Sequence, residues 1–234
     1  MSVALFFIVA AILLASRGRF MVAALAMIMA GLCHPSAWFA AVGLAAGLVV
    51  LAAPLGSRET LKKIGWGALG LASIPILFLH DQLAFGHWNA FLVLQRQSDR
   101  GHLLSVNATA RNVADLVTGK SFEQQRMGAG AVFLTLQAIL AVLMTGYAVV
   151  FTFSRRWWGK WEPRQVYAGS VAAFVLLGTA VNSDPGAWNR SIVLAAPCVF
   201  CLRMVPKYVL VAILIVVGGT TAVVSHYFFN GALI

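Results

Sequence analysis

Apolar residues in this chain come in long blocks, without the strict alternation of barrel strands, and each block ends in a short polar break. Eight such segments are read: Ser2 to Ala15, Phe20 to Cys33, Ala37 to Leu55, Ile64 to Leu79, Gly128 to Phe153, Gln165 to Val181, Ser191 to Leu202, and Tyr208 to Phe229. A helix rising about 1.5 Å per residue needs roughly 20 apolar residues to cross a hydrocarbon core. Several of the segments approach that length. The pattern predicts an all-α fold, a multi-spanning helical membrane protein of eight transmembrane segments with one long external loop. Residues 1-79 hold four segments, 80-127 the loop, and 128-234 four more. The first, second and seventh segments are short and are expected to extend into their polar flanks or to be partial spans.

Composition strengthens this expectation. Of 234 residues, 61% are hydrophobic and 10% charged, against roughly 25% charged in an ordinary soluble domain. The mean hydropathy is +0.87. A net charge of +10 would suggest nucleic acid in a soluble chain, because Lys and Arg neutralise phosphates. Here the basic residues sit between apolar runs, so nucleic acid is excluded as a partner and membrane lipids are expected instead.

The placement of charge sets the orientation, since short cytoplasmic loops collect Lys and Arg. Arg17 and Arg19 follow segment one; Arg58, Lys62 and Lys63 follow three; Arg155, Arg156, Lys160 and Arg164 follow five; Arg203 and Lys207 follow seven. The other side receives the His34-Pro35-Ser36 turn, the loop from His80 to Met127, the short loop from Asn182 to Arg190, and the C-terminal tail. It also receives Asp81, Asp99, Asp115, Glu123 and Asp184. Trp157, Trp158 and Trp161 among Arg155, Arg156 and Lys160 read as an interfacial belt. The protein is expected in a membrane as a multi-pass chain, the cell membrane of a bacterium or the endoplasmic reticulum of a eukaryote.

Cys33, Cys198 and Cys201 all lie in apolar stretches, which excludes a disulfide framework and a zinc knuckle. The CxxC pair reads as small packing residues. The start, Met-Ser-Val-Ala-Leu-Phe-Phe, lacks the positive region of a signal peptide. Because the orientation puts the N-terminus outside and the first segment begins at residue 2, further segments are expected upstream of Ser2. An N-out first helix is the alternative.

Within the long loop, Phe85, Trp88, Phe91 and Leu92 at helical spacing, followed by Gln95, Arg96, Asp99 and Arg100, predict an amphipathic helix lying in the headgroup plane. A weaker helical pattern runs through Val106 to Leu116. Asn107-Ala-Thr and Asn189-Arg-Ser match the glycosylation sequon. The turns carrying His34, His80-Asp81 and Asp184 to Arg190 lie on one side, where they can converge on one cavity.

Three stretches together resemble the polyprenyl-phosphate-sugar-dependent glycosyltransferases of the GT-C superfamily, in particular mannosyltransferases related to the enzyme that adds the second mannose of GPI anchors. Gly18-Arg19-Phe20 through Gly31-Leu32-Cys33-His34-Pro35-Ser36 is similar to that family's helix and Gly-Leu-x-Arg-Pro-Thr-Gly turn, with His34 where Arg is usual. Asp81-Gln82-Leu83-Ala84-Phe85, with Trp88, Phe91 and Gln95, resembles the Gly-Asp-Pro-Leu-Ala-Phe segment but lacks its Gly-Asp-Pro triplet. Asn189-Arg190-Ser191 through Pro197 to Leu202-Arg203 resembles the Arg-Tyr-x-Leu-x-x-x-Pro helix near the family's C-terminus, the best match of the three. Family members are longer and carry a catalytic acid on an external loop after their first helix. The resemblance therefore covers only the C-terminal part of such an enzyme and implies an upstream or partner membrane segment.

It also implies a reaction: a sugar, mannose in these relatives, moves from a polyprenyl phosphate donor to an acceptor at the external face. That chemistry needs a carboxylate to take the acceptor proton, donors to stabilise the departing phosphate, and an apolar groove for the lipid. Arg190 matches the family's Arg, and its planar guanidinium can grip phosphate bidentately. Arg96 and Arg100 rank behind it. Asp81 and Asp184 are the candidate carboxylates, able to orient an acceptor or a divalent metal, although the sequence carries no cofactor signature. His34 and His80 are candidates for the phosphate. Two other readings compete: a non-catalytic membrane subunit or remnant of such an enzyme, and a lipid transporter. The transporter is disfavoured because no inverted repeat is seen and the segment interiors are essentially uncharged.

Overall fold

The computed structural model describes residues 2–51, 57–88, 90, 93, 114–115, 118, 120, 135–136, 139–140, 143, 146–147, 150, 162–180, 194, 196–197, 201 and 206–229. Among them the chain is helical, with no strand. The helices with full bounds are α1 (Ser2–Ser16), α2 (Phe20–Cys33), α3 (Ala37–Leu51), α4 (Arg58–Leu69), α5 (Ser73–Phe85), α6 (Pro163–Ala180) and α7 (Lys207–Phe229). A single 3₁₀ turn, Gly70–Ala72, joins α4 to α5.

The boundaries follow from local chemistry. Gly18 adopts φ 75°, a left-handed conformation that Gly takes without a Cβ penalty. There the Gly18 N–H reaches the Ala15 carbonyl at 3.0 Å and the Arg19 N–H the Leu14 carbonyl at 2.9 Å, a Schellman stop. The α2–α3 turn is built on Pro35, with Trp38 N–H donating to the Pro35 carbonyl at 2.9 Å. At α4, the Ser57 hydroxyl accepts from the Thr60 N–H at 3.1 Å, and Glu59 lies in the first turn. The 3₁₀ step sits just before Pro75, whose ring crowds the carbonyl of residue 71 and supplies no N–H. Gly86 closes α5 at φ 72°, its N–H bonded to the Gln82 carbonyl. Pro163 opens α6, where its missing N–H costs nothing.

Two expectations are corrected here. The fourth segment, expected over Ile64 to Leu79, belongs to one 28-residue helical run, Arg58–Phe85, through the 3₁₀ step. Hence His80 and Asp81, placed at the start of the external loop, are helical residues, and the boundary at 79/80 falls inside α5. Phe85, read as the first residue of the interfacial helix, is the last residue of α5. Periodicity alone could not see the Gly86 stop, because the apolar pattern passes straight across it. Ala90 and Val93 are helical beyond it, while Phe91, Leu92, Gln95, Arg96, Asp99 and Arg100 lie outside the described residues.

Small side chains make up much of the interior. Ala4, Ala11, Ala15, Ala23, Ala30, Ala37, Ala40, Ala41, Ala168 and Ala172 are buried together with Ile8, Ile12, Met27, Leu44 and Val171. Among the described residues, α3 and α6 pack most extensively on one another. A Cβ on Gly43 would lie 2.6 Å from the Ser170 carbonyl oxygen and 2.6 Å from the Val171 Cα. Many other large apolar residues point outward: Phe6 is 67% exposed, Leu25 52% and Ile215 69%. One run among the described residues, Arg58–Phe85, is both long and apolar enough to cross a membrane.

Candidate functional site

Packing partners fix the direction of each helix. Gly67 of α4 lies against Ala45 and Leu48 of α3, and Gly70 against Ala41 and Met27. Gly31 of α2 lies against Ser73 and Trp38. Residue numbers therefore rise together along α2 and the α4–α5 run and fall along α3. On α6, Tyr167 and Ser170 meet Gly47, while Gly178 meets Phe39, so α6 runs antiparallel to α3. The α1–α2 turn and the first turns of α4 and α6 consequently share one end of the bundle. That end carries Arg17, Arg19, Arg58, Lys62, Lys63 and Arg164 against Glu59 and Glu162. The basic turns separated along the sequence are thus neighbours in space.

The opposite end carries His34, His80 and Asp81. His34 sits on the α2–α3 turn, where its Nδ1 accepts from the Ser36 N–H at 3.2 Å. Burial holds its imidazole below the ordinary histidine pKa, which favours the neutral ring near pH 7. Two turns past the level of Gly31 and Ser73, α5 brings up His80 and Asp81. The Asp81 residue is 4% exposed, on a helix end where Leu79, Leu83 and Phe85 face outward. The His80 Nδ1 lies 3.7 Å from the Asp81 Oδ1, and the His80 side chain is 66% exposed. A buried carboxylate flanked by an accessible imidazole can accept a proton or orient a hydroxyl.

Asp184, Arg190, Arg96 and Arg100 lie outside the described residues, as does Cys198. Among the described residues no three His, Cys, Asp or Glu side chains converge to hold a metal ion.

The feature the sequence did not reveal is a cleft of about 510 Å³ at the basic end. Five helices contribute to it, with Gly18 at the end of α1, Phe20 on α2, Leu51 on α3, Thr60 and Lys63 on α4, and Tyr167 on α6. Lys63 Nζ bonds Glu59 Oε1 at 2.7 Å and stands 5.8 Å from the centre of the Phe20 ring. Hydrogen bonding to Lys63 pulls the Glu59 carboxyl below its usual pKa. The alternation of basic turns marked this end but not its concavity, which depends on how five helix ends splay.

No protein-family model, curated protein or solved structure matches the chain.

Proposed function

We propose that this is a multi-pass helical membrane protein of GT-C type, handling a polyprenyl-phosphate sugar at the end of the bundle opposite its basic turns. Its inverted packing supports the membrane part of the reading. Alanine and glycine make up much of the helix contacts, joined by Ile8, Ile12, Met27 and Leu44, while Phe6, Leu25, Met29 and Ile215 among others face out. Helices in lipid associate in this manner, because small residues let backbones approach and large apolar ones meet the acyl chains. A water-soluble bundle would do the reverse. The segregation of basic turns at one end agrees with a cytoplasmic face.

The observation that carries the reaction is Asp81, buried beside His80 at the opposite end. In the proposed step the acceptor oxygen bonds to the anomeric carbon, and the bond from that carbon to the phosphate oxygen breaks. The carboxylate takes the hydroxyl proton, and polyprenyl phosphate leaves with the electron pair. Asp81, with Asp184 or a carboxylate from an upstream or partner segment, is the base. Arg190, Arg96, Arg100 and His80 are the groups for the departing phosphate. The apolar outer faces of the helices would hold the lipid.

A second reading, a non-catalytic membrane subunit, is favoured by His34. A neutral imidazole stands where the family's Arg would supply a permanent charge. Purified chain in lipid nanodiscs, supplied with radiolabelled polyprenyl-phosphate mannose and a membrane-lipid acceptor extract, separates the two. Enzymatic transfer is expected to fall about 100-fold or more in Asp81→Asn. No transfer by the wild-type chain, alone or with its co-purifying membrane partner, would leave the subunit reading.

A further inference from the structure

We propose that the cleft at the basic end binds the phosphate-bearing headgroup of an anionic membrane lipid, at a site separate from the Asp81 end. The proposal rests on the membrane reading above. The cleft, about 510 Å³, falls within the ~300–1,000 Å³ typical of small-molecule sites. Its lining mixes two chemistries. Phe20, Leu48 and Leu51 are apolar, suited to the glycerol and the first acyl carbons. Lys63, Thr60 and Tyr167 supply donors, and Glu59 a carboxylate. Thr60 Oγ1 accepts from the Ser57 hydroxyl at 2.8 Å, which leaves its own proton to donate. Lys63 is held in place by Glu59 and Phe20, yet its side chain is 39% exposed, so a phosphate can reach it. Arg17 and Arg19 flank Gly18, and Arg58 and Lys62 lie on α4 beside Lys63. This surplus of positive charge sits where the helices' apolar outer faces end, which is the depth of a lipid headgroup. A soluble phosphate would use the donors but not the apolar lining.

Glu59 makes the idea testable, because its carboxylate competes with the ligand phosphate for Lys63. Glu59 is exposed and on the first turn of α4, so Glu59→Gln leaves the packing untouched. Native mass spectrometry of the detergent-solubilised full chain, titrated with phosphatidylglycerol or phosphatidylcholine, measures retention of each lipid. The wild type is expected to retain phosphatidylglycerol selectively, Lys63→Gln to lose about tenfold in affinity, and Glu59→Gln to gain affinity. Equal retention of the two lipids, or an unchanged affinity in both variants, would overturn the site. Displacement of the lipid by millimolar inorganic phosphate would overturn the lipid as occupant in favour of a free phosphate. Carbonate extraction of membranes is scored separately. Release of the chain would overturn the membrane reading together with this proposal, whereas a resistant chain lacking lipid selectivity overturns this proposal alone.

Discussion

Gly43 and Gly65 are both helical glycines, and their surroundings give them opposite roles. At Gly43 a methyl would strike the backbone of α6, which cannot rotate aside. Gly43→Ala is expected to destabilise by about 1–3 kcal/mol. Gly65 has nothing within 4 Å of a Cβ, so Gly65→Ala should be neutral or stabilise by about 0.5–1 kcal/mol through helix propensity. Thermal unfolding in detergent, followed by size-exclusion fluorescence, ranks the two. His34 yields a pH prediction. Its folded pKa lies below the ordinary value near 6.5, so in the window between the two the unfolded chain binds more protons than the folded one. Stability then rises with pH across that window: it is full above about 6.5, falls as the medium is acidified below that, and levels off once the folded pKa is passed. Protonation would also cost Nδ1 its role as acceptor from the Ser36 N–H. Melting temperatures from pH 7.5 to 5 should show a slope in the wild type that His34→Gln reduces. The residue types of Gly43 and His34 were plain in the sequence, but neither the neighbour of one nor the burial of the other was.

At the scale of elements, the apolar blocks located the helices well where short turns separate them. α2 was read with the bounds the structure gives, and α1 and α7 each to within one residue. These ends are punctuated by Gly18, Pro35 and Pro206, local signals whose effect does not depend on packing. The α4–α5 run was read too short at both ends. Its first turns are polar and amphipathic, and its last turn crosses the point where the loop was expected to begin. Ser57 is the sequence signal for that start, a cap followed by an acidic residue in the first turn. Ser57→Ala is expected to cost about 0.5–2 kcal/mol. Hydrogen exchange should then rise over the first turn of α4 and remain unchanged in α2. A uniform rise across both helices would mean that Ser57 supports the bundle and not the helix end. The helices of 14 and 15 residues, α1 to α3, reach only about 21–23 Å, less than the roughly 30 Å of a hydrocarbon core. If they span, the bilayer must thin around them or the flanking Arg17, Arg19 and His34 must reach out to the headgroups.

For the whole molecule, the end-to-end segregation of charge makes the orientation measurable. Reporter fusions placed after Ser57 and after Gly86 should give opposite sidedness, with the Ser57 junction cytoplasmic. The same sidedness at both junctions would contradict a crossing by Arg58–Phe85. All-helical character, the positions of most described helices and the grouping of basic turns were legible from sequence. They arise from composition, from the residue at each turn, and from the count of segments between charges, all of which are local or additive along the chain. Tertiary structure decided the rest. Which small residues meet across α3 and α6, that Asp81 is buried while His80 beside it is not, and that five helix ends leave a cleft around Lys63 all depend on the rotation and register of each helix. Helices that are apolar all round carry almost no amphipathic signal to fix that rotation. Only the fit of alanine and glycine against a neighbouring backbone selects it, and that fit exists only once the neighbours are in place.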